Sequence, residues 1–225
     1  MLIHSSKPQW IFVAVPKTGT TSIQNFLKDK LHKKNIHIPK KWLSRYYHAD
    51  IIQMINRFPA SLGINPTHKY TNDKLIEKIK PFFKFAFHRN PWDRMVSFYH
   101  DYTTDKLHLT WSSDMLQYKN FEEFVLDFAN SQWRYHQNFK PTVAYTHYQS
   151  KQIVDFIGRY DTFDRDVAYC FDQIDMPYIE FQAYERMRQA PRQKDYTQYY
   201  TSERMIQAVA DVFWQDIKLF GDTYA

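Results

Sequence analysis

The sequence is poor in the residues that mark several classes of protein. It has one cysteine, Cys170, and four glycines among 225 residues. A single cysteine excludes an intrachain disulfide and a cysteine-based zinc site, and so few glycines argue against a β-propeller or a low-complexity chain. Cys170 falls in an apolar helical pattern, which indicates a small core residue.

Long apolar runs are also missing. No stretch approaches the roughly 18 consecutive apolar residues of a membrane-spanning helix. No apolar segment of the kind found in signal peptides precedes the first predicted strand. We therefore expect no membrane span and no secretory signal, and the cytoplasm is the simplest location.

Positive charge is in excess but is not concentrated. The net charge is +6, which suits an anionic ligand. The lysines and arginines are scattered apart from Lys33-Lys34 and Lys40-Lys41, and no zinc-finger or RNA-binding motif occurs. We therefore do not expect nucleic acid as the partner. Hydrophobic residues make up 44% and charged residues 24%, as in a globular protein, and we expect one domain over residues 1–225.

The stretch over residues 10–27 organises the chain. An apolar run, Ile11 to Val15, predicts a buried parallel strand, and a polar turn over residues 16–22 leads into a helical pattern. The N–H groups at the start of a helix lack partners inside it, and the helix dipole favours negative charge there. A strand, a turn and a helix N-terminus in this order therefore predict an anion site.

The residues of the turn support a phosphate-binding loop. Lys17 supplies a positive charge, and Gly19 allows close approach of the backbone. Hydroxyl groups come from Thr18, Thr20, Thr21 and Ser22. The loop is not a Walker A sequence, because its lysine precedes its glycine.

A second strand, turn and helix follows with a basic residue at its turn. The strand is predicted over residues 82–87, and Asn90 and Pro91 are typical of a helix start. Arg89 lies in the turn, where it can bind an anion or form a structural ion pair with Asp93. Strands that alternate with helices predict an α/β fold with a parallel sheet covered on both faces.

The remaining elements are predicted from shorter patterns. Residues 1–9 are predicted to be a polar lead-in. The further elements are a helix capped by Asn120, a strand over Ile153–Ile157, a helix marked by Phe163, Val167, Phe171 and Ile174, a strand over Pro177–Phe181 and a last helix over Ser202–Phe220 that ends at Gly221.

Two motifs resemble those of one enzyme family. Residues 16–22 read Pro-Lys-Thr-Gly-Thr-Thr-Ser, which resembles the 5′-phosphosulfate loop of the sulfotransferases. Residues 85–97 resemble that family's 3′-phosphate motif, in which an arginine and a later serine, here Arg89 and Ser97, hold the phosphate. Residues 155–161 and 199–221 resemble the carbohydrate sulfotransferase branch.

The resemblance implies a fold, a reaction and a set of site residues. The fold is a single-domain sulfotransferase fold, and the reaction is transfer of a sulfuryl group from 3′-phosphoadenosine 5′-phosphosulfate (PAPS) to an acceptor hydroxyl or amine, releasing adenosine 3′,5′-bisphosphate (PAP). A carbohydrate is the expected acceptor, and no metal is implied. Lys17 would act on the leaving group, and the catalytic base would be His68 or, as second choice, His48. The expected cofactor contacts are the loop residues 17–22, Arg89, Ser97, Arg159, Arg192 and Lys194.

Two other functions stay open. One is a nucleotide-dependent kinase with a degenerate P-loop, which requires a magnesium-binding aspartate at a strand end, and Asp155 is the candidate. The other is a non-catalytic module that binds PAP or a polyanion such as heparin without turnover.

Overall fold

The computed structural model describes residues 2–6, 9–33, 70–104, 118–136, 138–186 and 195–225. The strands are β1 (Leu2–Ser6), β2 (Gln9–Val13), β3 (Phe83–His88), β4 (His147–Tyr148), β5 (Lys151–Gln152) and β6 (Phe156–Arg159). The α-helices are α1 (Thr20–Lys33), α2 (Asn72–Ile79), α3 (Pro91–Thr104), α4 (Phe121–Asn130), α5 (Val143–Thr146), α6 (Phe163–Gln173), α7 (Tyr178–Arg186), α8 (Glu203–Val212) and α9 (Trp214–Phe220). Short 3₁₀ helices cover Gln132–Tyr135 and Tyr196–Tyr199.

The chain forms two compact units, each built from two segments. The first contains Met1–His88 and Thr142–Gln189, and the second contains Arg89–Pro141 and Ala190–Ala225. Our assignment of residues 1–225 to a single domain stays a prediction.

The first unit is built on a four-stranded sheet in the order β1-β2-β3-β6. Strands β2, β3 and β6 are parallel, which confirms the predicted central parallel sheet flanked by helices. Strand β1 runs antiparallel to β2, with Leu2 opposite Val13. Our prediction of a polar lead-in over residues 1–9 was therefore wrong. The apolar residues of β1 are Leu2 and Ile3, so the sequence shows little hydrophobic periodicity there. The strand forms because it pairs with β2.

Both faces of this sheet are covered. On one face, Trp10 and Phe12 pack with the phenylalanines of β3 and with α1, α6 and α7. On the other face, Ile11 and Val13 pack with α2 and α5. Alternate residues of a strand point to opposite faces, so one apolar run serves both cores. Cys170 is buried in the first of these cores, as predicted.

The segment predicted as a strand over Pro177–Phe181 is the start of helix α7. The Pro177 carbonyl accepts hydrogen bonds from the N–H groups of Glu180 at 3.2 Å and Phe181 at 3.4 Å. Phe181 is fully buried and packs on Phe26 and Phe171. The strand prediction was wrong. The segment is helical because this conformation packs Phe181 against α1 and α6.

Two predicted strands are shifted along the chain. The first ends at Val13 rather than Val15, and the strand predicted over Ile153–Ile157 is Phe156–Arg159. Strand β6 starts late because Asp155 accepts hydrogen bonds from both the backbone N–H of Lys84 at 2.6 Å and its ammonium at 2.8 Å. The hairpin of β4 and β5 precedes this point.

The second unit is helical. Its core joins α3, α4 and α8 through residues such as Phe98, Phe124 and Val209. The helix predicted over Ser202–Phe220 is divided at the buried Phe213 into α8 and α9. Gly221 ends α9 with φ 67°, as predicted for a C-terminal glycine. No helix in the described ranges combines the length and apolar character that a membrane span needs.

Candidate functional site

The loop between β2 and α1 has a constrained backbone. Lys17 has φ 64° and Gly19 has φ 78°, both in the left-handed region. For a residue with a Cβ, such as Lys17, this conformation costs about 1–3 kcal/mol and is found most often at functional sites. The loop therefore holds Lys17, which is half-buried, at a cost in backbone energy.

Two threonine hydroxyls fix the shape of this loop. The hydroxyl groups of Thr18 and Thr20 both donate to the Val15 carbonyl, at 3.0 and 3.1 Å. Both threonines are buried, whereas Thr21 is exposed and Ser22 is half-buried. These hydrogen bonds are part of the loop's own structure, and the contacts that we assign to the four hydroxyl groups with a phosphate stay a prediction.

Gly19 is packed against an aromatic ring. A Cβ at this position would lie 2.6 Å from Cε2 of Phe163 and 3.2 Å from Cε2 of Tyr160. Phe163 and Tyr160 both follow strand β6, so the segment after β6 supports the loop that follows β2. Periodicity in the sequence did not reveal this contact, because the partners are far apart along the chain.

The start of α1 is suited to an anion. The helix has 14 residues and no acidic residue in its first turn. Its first N–H groups have no partners within the helix, and the helix dipole places partial positive charge at this end. The loop and this helix start both lie at the carboxyl edge of the parallel strands, where ligands bind in open α/β sheets.

The ends of β3 and β6 lie at the same edge. His88, the last residue of β3, is opposite Arg159 in the register. His88 is fully buried, its Nδ1 lies 2.9 Å from the Thr142 hydroxyl, and its carbonyl accepts from the N–H of Tyr160 at 2.8 Å. The Nε of Arg159 donates to Asp161 at 3.1 Å. The structure thus places Arg159 at the edge that carries the Lys17 loop.

A buried carboxylate that the sequence did not single out holds this edge together. Asp166, near the start of α6, accepts from the backbone N–H of Arg159, the Thr162 hydroxyl and the Arg165 guanidinium at 2.8, 2.8 and 2.9 Å. Burial alone would raise the pKa of Asp166, but these donors outweigh burial and hold the pKa below its ordinary value.

Arg89 and Ser97 lie in the second unit. The Nε and Nη2 of Arg89 donate to the two carboxylate oxygens of Asp93 at 2.6 and 3.0 Å. The ion pair that we kept as an alternative for Arg89 is therefore present. Burial raises the pKa of Asp93, and Arg89 opposes that rise. Ser97 is half-buried and lies one helical turn beyond Asp93 on α3.

The start of α3 is formed by local capping. The side-chain oxygen of Asn90 accepts from the N–H of Trp92 at 3.1 Å, and its amide donates to the Thr223 carbonyl at 2.9 Å. Pro91 is the first residue of the helix. This confirms Asn90 as the capping residue, and it fixes the position of the helix that carries Asp93.

A second buried arginine, which lies on α3, is structural. Arg94 is fully buried. Its Nη2 donates to the Lys140 carbonyl at 3.0 Å, and its guanidinium lies 5.3 Å from the centre of the Phe98 ring. The two motif arginines therefore differ in environment, since Arg89 faces a carboxylate and Arg94 faces carbonyl groups and aromatic rings.

Four predicted site residues lie outside the described residues. They are the candidate bases His48 and His68 and the basic residues Arg192 and Lys194.

The candidate magnesium-binding aspartate of a kinase lies at the wrong edge of the sheet. Asp155 precedes β6 and pairs with Lys84 at 2.8 Å. It is therefore at the amino edge of the parallel strands, opposite the Lys17 loop. A magnesium-binding aspartate must lie beside the phosphates, so this position does not suit the role.

Comparisons with known proteins agree with the two motifs. The model of the sulfotransferase family matches residues 1–225. An uncharacterized protein from Archaeoglobus fulgidus is 32% identical over 93 residues, which cover 41% of this chain and 68% of that protein. No solved structure matches the chain.

Proposed function

The chain belongs to the sulfotransferase family, and on this basis we propose that it transfers a sulfuryl group from PAPS to a hydroxyl or amine group of a carbohydrate acceptor. Transfer of a sulfuryl group is the general activity of the family. The observation that carries the proposal is the loop between β2 and α1, with Lys17 and Gly19 at positive φ before a helix start without acidic residues.

The choice of PAPS as donor is supported by both motifs. The loop residues 17–22 and the first N–H groups of α1 would hold the 5′-phosphosulfate. Arg89 and Ser97 would hold the 3′-phosphate, since a guanidinium can bind a phosphate through two parallel hydrogen bonds. Arg159, Arg192 and Lys194 are further proposed contacts to the nucleotide.

The proposed reaction is a direct displacement at sulfur. The acceptor oxygen or nitrogen forms a bond to sulfur while the bond from sulfur to the 5′-phosphate oxygen breaks, and PAP leaves with the electron pair of that bond. Lys17 would stabilise the negative charge that grows on the departing oxygen. The proton of the acceptor passes to a base, for which we propose His68 and, as second choice, His48.

The kinase and the non-catalytic module are less well supported than sulfuryl transfer. The family match does not favour the ATP-dependent kinase, and Asp155 lies at the opposite edge of the sheet. A non-catalytic module that binds PAP is an outcome that the next experiment distinguishes. A cytoplasmic location and a carbohydrate as acceptor remain parts of the proposal.

Transfer of radiolabelled sulfate from PAPS, measured across a panel of glycans and small alcohols, tests the function. We expect wild-type protein to label an acceptor, and we expect Lys17→Ala to lower the rate by about 100-fold or more while the protein stays folded. Lys74→Ala removes an exposed lysine from α2 in the same unit and should retain the wild-type rate.

The outcomes separate the three functions. Transfer at the wild-type rate by Lys17→Ala would refute the role of Lys17. Binding of PAP without labelling of any acceptor in the panel would favour a non-catalytic module, and phosphate transfer from ATP in the presence of magnesium would favour a kinase.

A further inference from the structure

Arg89 and Asp93 form a side-on ion pair at the start of α3. The Nε and Nη2 atoms of the guanidinium meet the two carboxylate oxygens at 2.6 and 3.0 Å. Two parallel hydrogen bonds fix both the direction and the plane of a guanidinium. The pair is also well covered, because the side chains are 6% and 11% exposed.

We infer, on the basis of the function proposed above, that Asp93 is a positioning residue that holds the Arg89 guanidinium in the orientation that binds the 3′-phosphate of the nucleotide. A guanidinium carries five N–H donors, so one edge can meet a carboxylate while another meets a phosphate. The order of residues supports this assignment, since Arg89 lies two residues before α3, and Asp93 and the proposed phosphate ligand Ser97 lie one turn apart on that helix.

The positioning role has a physical reason. An arginine side chain has many rotamers, and ordering it costs up to about 2 kcal/mol. The ion pair with Asp93 orders the Arg89 side chain before the ligand binds, because Asp93 is itself held on α3. Asn90 caps this helix, and the Trp92 carbonyl accepts from the buried Tyr200 hydroxyl at 2.9 Å.

Simple electrostatics predicts the opposite effect, which makes the inference testable. A carboxylate near the phosphate site repels the ligand and neutralises part of the charge of Arg89. If charge alone acted, removal of the carboxylate would strengthen binding of the 3′-phosphate. If Asp93 orients Arg89, its removal weakens that binding. Among the described residues, Asp195, Tyr196 and Tyr200 also interact electrostatically with Asp93.

Calorimetric titration with PAP and with adenosine 5′-phosphate isolates the 3′-phosphate. The dissociation constant for adenosine 5′-phosphate divided by that for PAP is the ratio that measures how much the 3′-phosphate adds to binding. We expect Asp93→Asn to reduce this ratio by roughly tenfold and to leave the affinity for adenosine 5′-phosphate near the wild-type value. Asp211→Asn removes an exposed carboxylate from α8 and should leave both affinities unchanged.

A double-variant measurement separates positioning from a structural role. In an Arg89→Ala background, Asp93→Asn should have no further effect on the ratio, whereas a structural role would lower the affinity for both nucleotides in either background. If Asp93→Asn does not fold, Asp93→Glu keeps the charge but moves the carboxylate by one methylene group, and the ratio should fall here too.

Two results would overturn the inference. One is a wild-type ratio in both Asp93→Asn and Asp93→Glu, and the other is tighter binding of PAP by Asp93→Asn. Failure of the proposed nucleotide specificity looks different, because wild-type protein would then not distinguish PAP from adenosine 5′-phosphate.

Discussion

Gly19 combines two constraints that no other residue type satisfies. Its φ of 78° lies in the left-handed region, and an added Cβ would lie 2.6 Å from the Phe163 ring. The ring cannot move away cheaply, since its centre lies 5.3 Å from that of Phe87 and 5.6 Å from that of Tyr160. The loop that carries Lys17 therefore depends on a residue without a side chain.

Gly221 is a matched control for Gly19, because it has φ 67° but no atom within 4 Å of an added Cβ. We expect Gly221→Ala to lower the free energy of unfolding by about 1–2 kcal/mol, the cost of the backbone conformation alone. Gly19→Ala should lower it further by about 1 kcal/mol or more, because the clash with Phe163 adds to this cost. Urea denaturation measures both values. Equal losses in the two variants would contradict the packing of Phe163 on the loop.

The sequence predicts residue contacts well when the partners are close along the chain. Asn90 and Asn120 were predicted as capping residues, and each accepts the expected backbone hydrogen bond. Capping needs no knowledge of the fold, because donor and acceptor are two or three residues apart. The contacts of Gly19 with Phe163 and of Asp166 with Arg159 were not predicted, since the sheet topology brings these residues together.

Elements were predicted well when they were long and strongly periodic. Helix α6 has the predicted apolar face, with Val167 and Phe171 buried. The short segment over Pro177–Phe181 was assigned wrongly, because a short apolar run does not distinguish a strand from the first turns of a helix. Packing of Phe181 on α1 and α6 decides the outcome, and the sequence does not show where those helices lie.

Asp166 joins the end of β6 to the start of α6, and its variant tests the connection between these elements. It accepts hydrogen bonds from Arg159, Thr162 and Arg165. We expect Asp166→Asn to lower the free energy of unfolding by roughly 1–3 kcal/mol near neutral pH. Asp172→Asn, an exposed change on the same helix, should have little effect.

The effect of Asp166→Asn should depend on pH in a defined direction. The folded protein holds the pKa of Asp166 below its ordinary value of 3.8. The ionised carboxylate therefore stabilises the fold above that value, and this contribution disappears as the pH falls through the lowered pKa. Denaturation curves at several pH values should show the difference between variant and wild type shrinking as the pH falls through 3.8 and below it. A constant difference would contradict the proposed role of the charge.

At the scale of the whole molecule, alternation of strands and helices was predicted, but the division into two compact units was not. Each unit combines two segments that are distant in sequence. Hydrophobic periodicity reports which face of an element is buried, but it does not report which elements share a core. Phe98 on α3 and Phe139 thus pack with ring centres 4.5 Å apart, although no local pattern joins them.

Net charge offers a test that separates a defined nucleotide site from general attraction. The chain carries +6, so PAP binding should weaken as salt rises from about 50 to about 500 mM, because screening shortens from more than 10 Å to a few ångströms. Lys17→Ala and Arg89→Ala should each weaken binding at low salt and flatten the salt dependence, since each removes a charge that we propose to contact a phosphate. Lys151→Ala removes the same charge from the exposed strand β5 and should retain the wild-type affinity and slope. Equal flattening in all three variants would mean that overall charge, rather than the two motifs, attracts the nucleotide.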